Sequence, residues 1–256
     1  MADTIVMIHG MWGHSWYWER YKKFFESKGY TCVTPVLRFH DMDPKAAPPP
    51  ELGTTSLLDY AADLEKEIKK LPSKPILMGH SMGGLLSQML AERGLTKAAV
   101  LLTPASTSGI LALRPSVIKS FWSTMIRWGF WKKPMRQTFD EAVYSMMHLL
   151  PAEEQKNSYE KFVYESGRAA FEIGFWLFDG RKAARVDASK VTCPVLVIAG
   201  KEDRITPSSV VKKVADKYKS VSSYRVFDHH AHWVVGEPGW QDVAAYVYDW
   251  LRQNVK

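Results

Sequence analysis

At 256 residues, with 46% hydrophobic and 24% charged side chains, the chain falls in the ordinary range for one large globular domain, or for one domain carrying an insertion. A chain of this length buries a substantial core without disulfide staples, and it holds only two cysteines, Cys32 and Cys193. The net charge of +7, from 34 basic and 27 acidic residues, permits anionic partners, yet no basic nucleic-acid motif accompanies it and no uninterrupted apolar run reaches the length of a membrane span.

Met1-Ala2-Asp3-Thr4 leads straight into an apolar strand over residues 4–8, with no basic n-region and no separate cleavage site; together with free thiols this sets the expected location as cytoplasmic. Residues 15–27 read as a helix stopped at Gly29, and 30–34 as a second strand stopped by Pro35. A loop over 38–55 carries Pro44, Pro48, Pro49 and Pro50. Ser56 then caps a helix ending near Leu71-Pro72. Residues 75–78 form a third strand, 85–93 a helix and 98–102 a fourth strand. From 106 to 186 the pattern breaks: no convincing buried strand occurs, and the segment reads as several helices rich in Trp, Phe and Met. Alternation resumes with a strand over 195–199, a helix over 207–218, a strand over 223–227 and a helix over 240–253.

Strands alternating with helices predict an α/β fold, a mostly parallel sheet of about six strands with helices on both faces. The predicted organisation is a core of residues 1–105 and 187–256, with 106–186 inserted as a helical lid. The insertion leaves the carboxyl end of the fourth strand, the end at which open α/β sheets bind ligands.

Gly79-His80-Ser81-Met82-Gly83 has the form G-x-S-x-G. Alone it is weak, since chance matches occur in roughly one chain in ten of this length. Its context is specific: apolar Ile76-Leu77-Met78 precedes it and helical Leu85-Leu86-Ser87-Gln88-Met89-Leu90 follows. A strand, a sharp turn and a helix would hold Ser81 in strained backbone geometry and present its hydroxyl at the sheet edge.

Here the chain resembles the α/β-hydrolase family, through Ile8-His9-Gly10-Met11, the Ser81 elbow, Gly200-Lys201-Glu202-Asp203 and Ala231-His232-Trp233. The resemblance covers nearly the whole chain, which starts where the family's third core strand starts, so the expectation is a sheet without the usual first antiparallel pair. Family sheet order puts Cys32 four strand positions from the strand that Cys193 leads into, about 19 Å away and beyond the reach of a disulfide.

The resemblance implies a site. The backbone N–H groups of Met11 and Met82 would form an oxyanion hole, stabilising charge that appears only in the transition state. The base must be a histidine able to take the serine proton near neutral pH and return it to the leaving group. Chain order in this fold is serine, acid, histidine, which leaves His229, His230 and His232; Ala231-His232-Trp233 followed by Glu237-Pro238 fits the family pattern, with Ala in place of Gly, and His230 is the runner-up. Asp203 matches the acid of the family's Gly-x-x-Asp turn, and Glu202 is its runner-up. His9 and His80 read as packed structural residues, and a metal cluster among the histidines lacks an adjacent carboxylate or thiolate set.

The expected activity is hydrolysis of carboxylic esters, lipophilic ones in particular, without metal or organic cofactor; lactones and thioesters share the chemistry, so a lactonase is the near alternative. Ser81 argues against the family members with an Asp nucleophile, dehalogenases and epoxide hydrolases. The His9–Trp18 stretch also looks like plant methylesterases and hydroxynitrile lyases, but the lyases carry Lys where this chain has Trp233. Perhydrolysis as a side activity, and a ligand receptor that retains the triad, remain alternatives; multiple turnover separates the receptor from an enzyme. Partners are then a small-molecule ester or lactone, with no nucleic acid. Residues 106–139 hold six basic residues and no Asp or Glu, interleaved with Phe121, Trp122, Trp128, Phe130 and Trp131. The preferred expectation is that these aromatics face the site and the charges are solvated; contact with an anionic lipid surface is the second.

Overall fold

The computed structural model describes residues 3–255; Met1, Ala2 and Lys256, and with them part of the reading of the N-terminus, lie outside the described residues. The strands in chain order are β1 (Thr4–Ile8), β2 (Thr31–Val33), β3 (Ile76–His80), β4 (Ala98–Leu102), β5 (Pro134–Met135), β6 (Glu165–Ser166), β7 (Val195–Gly200) and β8 (Ser222–Phe227). Six of them form one parallel sheet in the order β2-β1-β3-β4-β7-β8. The helices are α1 (Glu19–Ser27), α2 (Leu57–Ile68), α3 (Met82–Glu92), α4 (Pro115–Ser120), α5 (Trp122–Met125), α6 (Phe139–Ala142), α7 (Ala152–Glu160), α8 (Gly167–Gly174), α9 (Ser208–Lys217) and α10 (Trp240–Asn254). The central strands β3, β4 and β7 are buried at every residue, which is why they read as continuous apolar runs rather than alternating ones. The edge strand β8 is only partly buried and carries Ser, Tyr and Arg.

Local chemistry explains most boundaries. Ser56 and Asp59 form a capping box at the start of α2: Ser56 Oγ accepts from the Leu58 N–H, and the Asp59 carboxylate accepts from the Ser56 N–H at 2.8 Å. The helix expected over 85–93 instead starts at Met82. Gly83 and Gly84 are poor helix formers, but a Cβ on Gly83 would lie 2.1 Å from the Ile8 carbonyl oxygen and one on Gly84 2.8 Å from Pro104 Cβ. The close approach of β1 and β4 to this turn overrides helix propensity. The helix expected over 15–27 begins as a 3₁₀ turn at Ser15–Trp18, and the proline loop contains another at Pro50–Thr54.

The long connection from β4 to β7 is helical as expected, with one difference: β5 and β6 pair antiparallel. Two residues per strand are too few to leave a periodic signal in the sequence. This connection is anchored to the rest of the chain by buried polar groups. Glu172 accepts from the Ser56 hydroxyl and from the Leu57 N–H, both at 2.8 Å. Glu165 accepts from the Tyr60 hydroxyl at 2.8 Å and pairs with His40 Nε2 at 3.1 Å. Burial disfavours charge on His40, but Glu165 outweighs it and holds the His40 pKa above the usual value. Among the described residues no helix is long and apolar enough to cross a membrane, and Cys32 and Cys193 are both free thiols.

Candidate active site

Because the sheet is parallel, β1, β3, β4, β7 and β8 all deliver their following loops to the same edge. Those loops carry His9-Gly10-Met11, Ser81, Thr103, Asp203 and His232 in turn. Five stretches scattered from residue 9 to residue 232 are therefore brought together by topology alone.

Ser81 sits between β3 and α3 with φ +53° and ψ −118°, a backbone conformation that costs a non-glycine residue about 1–3 kcal/mol. The surroundings over-determine it. The Ser81 N–H donates to the Leu102 carbonyl at 3.0 Å, and the Ser81 carbonyl accepts from the N–H groups of Gly84, Leu85 and Ala105. The loop after β1 lies directly over the turn: a Cβ on Gly10 would come within 3.0 Å of Ser81 Cβ. Among the described residues the Ser81 hydroxyl makes no hydrogen bond, and it borders an apolar cavity.

The loop after β1 is held by its carbonyls. His9 Nδ1–H donates to the Gly10 carbonyl at 2.8 Å, while His9 Nε2 accepts from the Leu37 N–H at 3.1 Å. That pairing requires a neutral ring, and burial together with His40 drives the His9 pKa far below its usual value. The Tyr17 hydroxyl donates to the Met11 carbonyl at 3.0 Å, and the Val163 N–H to the Trp12 carbonyl at 3.0 Å. In a planar trans peptide the N–H points opposite the carbonyl, so fixing the Gly10 carbonyl fixes the direction of the Met11 N–H. Neither the Met11 N–H nor the Met82 N–H donates to a protein acceptor among the described residues, and both residues line the cavity beside Ser81.

Asp203 is buried and accepts four hydrogen bonds, each at 2.8 Å. Oδ1 takes the N–H groups of Ile205 and Thr206, and Oδ2 takes the Thr206 hydroxyl and His232 Nδ1. Burial alone would raise the Asp203 pKa; His232 and the Thr206 bonds reverse this and hold it below the usual carboxylate value. The His232 carbonyl is gripped by His80 Nε2–H at 2.8 Å and by the Thr103 hydroxyl at 3.1 Å. The elbow and the His232 loop are thus tied together through the residue beside Ser81. Burial, then His232, push the His80 pKa down to about 3, so this ring is a neutral donor.

The two runners-up from the sequence are elsewhere. His230 Nδ1 pairs with buried Glu237 at 2.9 Å, and the same oxygen of Glu237 accepts the Ala231 N–H. Glu202 is partly exposed and lies 3.9 Å from exposed His229. The sequence assigned no role to Tyr17, Thr103 or Thr206, and used Glu237 only as part of the pattern after His232. Of the first three, Thr206 carries a local signal, since Asp203 lies three residues before it in a turn-forming stretch. No group of three or more metal-ligating side chains converges among the described residues.

The cavity is bounded on the sheet side by Met11, Ser81 and Met82, and on the other by residues of the β4–β7 connection, including Phe121, Phe130 and Trp176. It spans about 930 Å³ counting its open mouth, and no charged side chain lines it.

The fold recurs in known structures. A methylesterase from Arabidopsis is 13% identical with TM-score 0.72, over 98% of this chain and 99% of that one. A monoacylglycerol lipase from Paleococcus ferrophilus is 20% identical with TM-score 0.71, over 98% and 94%. A pyrethroid hydrolase from Sphingobium faniae is 16% identical with TM-score 0.73, over 98% and 97%. At these identities the likeness is one of fold. A model of the alpha/beta hydrolase family matches residues 5–246, nearly the whole length, and the chain belongs to that family.

Proposed function

We propose that this alpha/beta hydrolase is a serine esterase for lipophilic carboxylic esters, with Ser81 as nucleophile, His232 as base and Asp203 as the acid that orients it. One observation carries the reading: a serine under backbone strain on the wall of an uncharged cavity, tied through its neighbour His80 to a histidine whose far nitrogen is held by a buried carboxylate. Ser81 Oγ attacks the ester carbonyl carbon while its proton passes to His232 Nε2. The carbonyl oxygen becomes an oxyanion and takes the idle N–H groups of Met11 and Met82. As the tetrahedral species collapses, the proton moves from His232 to the departing alkoxide, leaving an acyl group on Ser81. Water then repeats the sequence, giving up a proton to His232 and releasing the acid. Asp203 holds Nδ1–H throughout, leaving Nε2 free to accept, and offsets the imidazolium charge. The reading requires a hydrogen bond from the Ser81 hydroxyl to His232 Nε2 to form when substrate binds.

In this reading residues 106–186 form a lid whose apolar underside covers the acyl or alcohol group. A series of p-nitrophenyl esters of increasing acyl length, with matching lactones, tests it. Each methylene that enters the cavity contributes about 0.8 kcal/mol, so kcat/KM rises by roughly fourfold per carbon until the cavity is filled. A preference for acetyl over all longer chains, or for acyl groups ending in a carboxylate, would contradict it.

A further inference from the structure

Large apolar side chains are exposed in one region of this molecule. Eight are exposed among the described residues, and all but Val33 lie in two short stretches, 111–128 and 177–178. Trp128 is 86% exposed and Phe178 77%, with Trp122, Ile126 and Leu177 all above half. These stretches also wall the cavity: Leu113, Phe121 and Met125 from the first line it, and so do Phe175 and Trp176, which adjoin the second. An aromatic chain joins them. Trp128 meets Trp131 edge-on at 5.3 Å, Trp131 packs on Phe171 at 5.9 Å, and Phe171 stacks on Phe175 at 5.6 Å. Leu113 both lines the cavity and is half exposed, so the cavity wall reaches the surface within this apolar region.

Basic side chains predominate around this rim, where one carboxylate, that of Glu141, accepts from the N–H and hydroxyl of Ser123. Residues 106–139 contain no acid, and their exposed Arg114, Lys119, Arg127, Lys132 and Lys133 form no ion pair among the described residues. Arg181, Lys182 and Arg185, directly after the second stretch, are likewise exposed and unpaired, while Asp179 beside them is buried and bonded to Arg168. By contrast, Lys66, Lys69 and Lys70, on and just after α2, each meet a carboxylate.

We infer that this rim docks on an anionic lipid surface, with the cavity mouth facing the lipid. Exposed Trp and Phe among unpaired Lys and Arg match a headgroup interface, where rings enter the acyl boundary and cations meet lipid phosphates and carboxylates. An acidic protein would satisfy the cations but gives no reason for exposed rings to adjoin the wall of an apolar cavity. Docked in this way, the cavity exchanges lipophilic molecules with the membrane without passing them through water.

The inference goes beyond the esterase reading and is measured without catalysis. Co-sedimentation is run with neutral phosphatidylcholine vesicles and with vesicles in which roughly a third of the lipid is phosphatidylserine. The Ser81→Ala chain serves alongside the native one, so loss of activity and loss of binding are separate readouts. The expected result is pelleting with the anionic vesicles at low salt and release at high salt, as screening shortens the reach of the surface charge. A basic residue near such a surface contributes about fivefold in affinity, so the pair Arg127→Glu with Lys132→Glu weakens binding by at least about twentyfold. Trp128→Ala with Phe178→Ala also weakens it, and neither pair alters turnover of a short soluble ester. Equal sedimentation with neutral and anionic vesicles, or none with either, overturns the inference. So does binding to polyglutamate that matches vesicle binding and ignores Trp128→Ala, which assigns the face to an acidic partner. A lipid-free dimer broken by Trp128→Ala assigns it to a second copy of the chain and overturns it as well.

Discussion

Replacing Asp203 by Asn turns one acceptor into a donor, and the surroundings dictate which. An amide nitrogen at the Oδ1 position would face the N–H groups of Ile205 and Thr206, which belong to the backbone and cannot turn away. The Oδ2 position is the more forgiving. The Thr206 hydroxyl can rotate toward the Thr103 carbonyl at 3.1 Å and accept from the amide instead. His232 can move its proton from Nδ1 to Nε2 and accept in the same way. That accommodation disables the proposed reaction, because a ring protonated at Nε2 has no lone pair for the serine proton and no carboxylate offsets its charge. The expected loss in kcat is about 10⁴-fold, roughly 5 kcal/mol of barrier, with the fold kept. Stability adds a pH signature. A carboxylate held below its ordinary pKa stabilises the fold above its unfolded value of about 3.9, and that contribution is lost as pH falls through the lower folded value. Asp203→Asn lacks this term, so the melting curves of wild type and variant converge as the pH is lowered through that window. Turnover of a soluble nitrophenyl ester and the ring-nitrogen shifts of His232 supply the assay. Turnover within tenfold of wild type, or a variant still protonated at Nδ1, would refute the reasoning.

Gly83→Ala sets propensity against packing: inside a helix the change should gain about 1 kcal/mol, yet the new Cβ would lie 2.1 Å from a backbone oxygen of β1, so a lower melting temperature and a turnover loss of about a hundredfold are expected. Gly180→Ala, with nothing within 4 Å of its Cβ, is the control and should leave both unchanged. Tyr17→Phe frees the Met11 carbonyl and should lower kcat about fivefold, the worth of one hydrogen bond, with KM unaltered; a KM effect alone would mean the hydroxyl serves binding rather than the loop. His232→Ala should abolish turnover, whereas His230→Ala should act on stability by stranding buried Glu237, which differential melting and kcat together can separate.

What the chain disclosed in advance follows the range of the forces involved. β4 was legible to the residue, because a strand buried on both faces is a continuous apolar run. The strand–turn–helix around Ser81 was legible because its neighbours carry the pattern, whereas Asp203 and His232 were named through the family resemblance and are bonded to each other at 2.8 Å. The start of α3 was not, since the reason for Gly83 is the Ile8 carbonyl, which no local window contains. Tyr60 and His40 meet Glu165 across 105 and 125 residues, and His80 reaches His232 across 152. Such contacts exist only once the topology is known. The aromatics of 121–131 read as a single group in the sequence, yet the structure divides them: Phe121 and Phe130 line the cavity and Trp122 and Trp128 face outward. Helices as short as α4 and α5 span too few turns to show the 3.6-residue period that would have assigned the faces.

The account rests on Ser81 as an activated nucleophile, and a fluorophosphonate probe tests that directly, because such a serine attacks phosphorus as it attacks a carbonyl. Mass spectrometry of the labelled, digested protein should place one adduct, on the peptide carrying Gly79-His80-Ser81-Met82-Gly83, with labelling lost in Ser81→Ala and strongly slowed in His232→Ala. An adduct on any other serine, or undiminished labelling of Ser81→Ala, would contradict it.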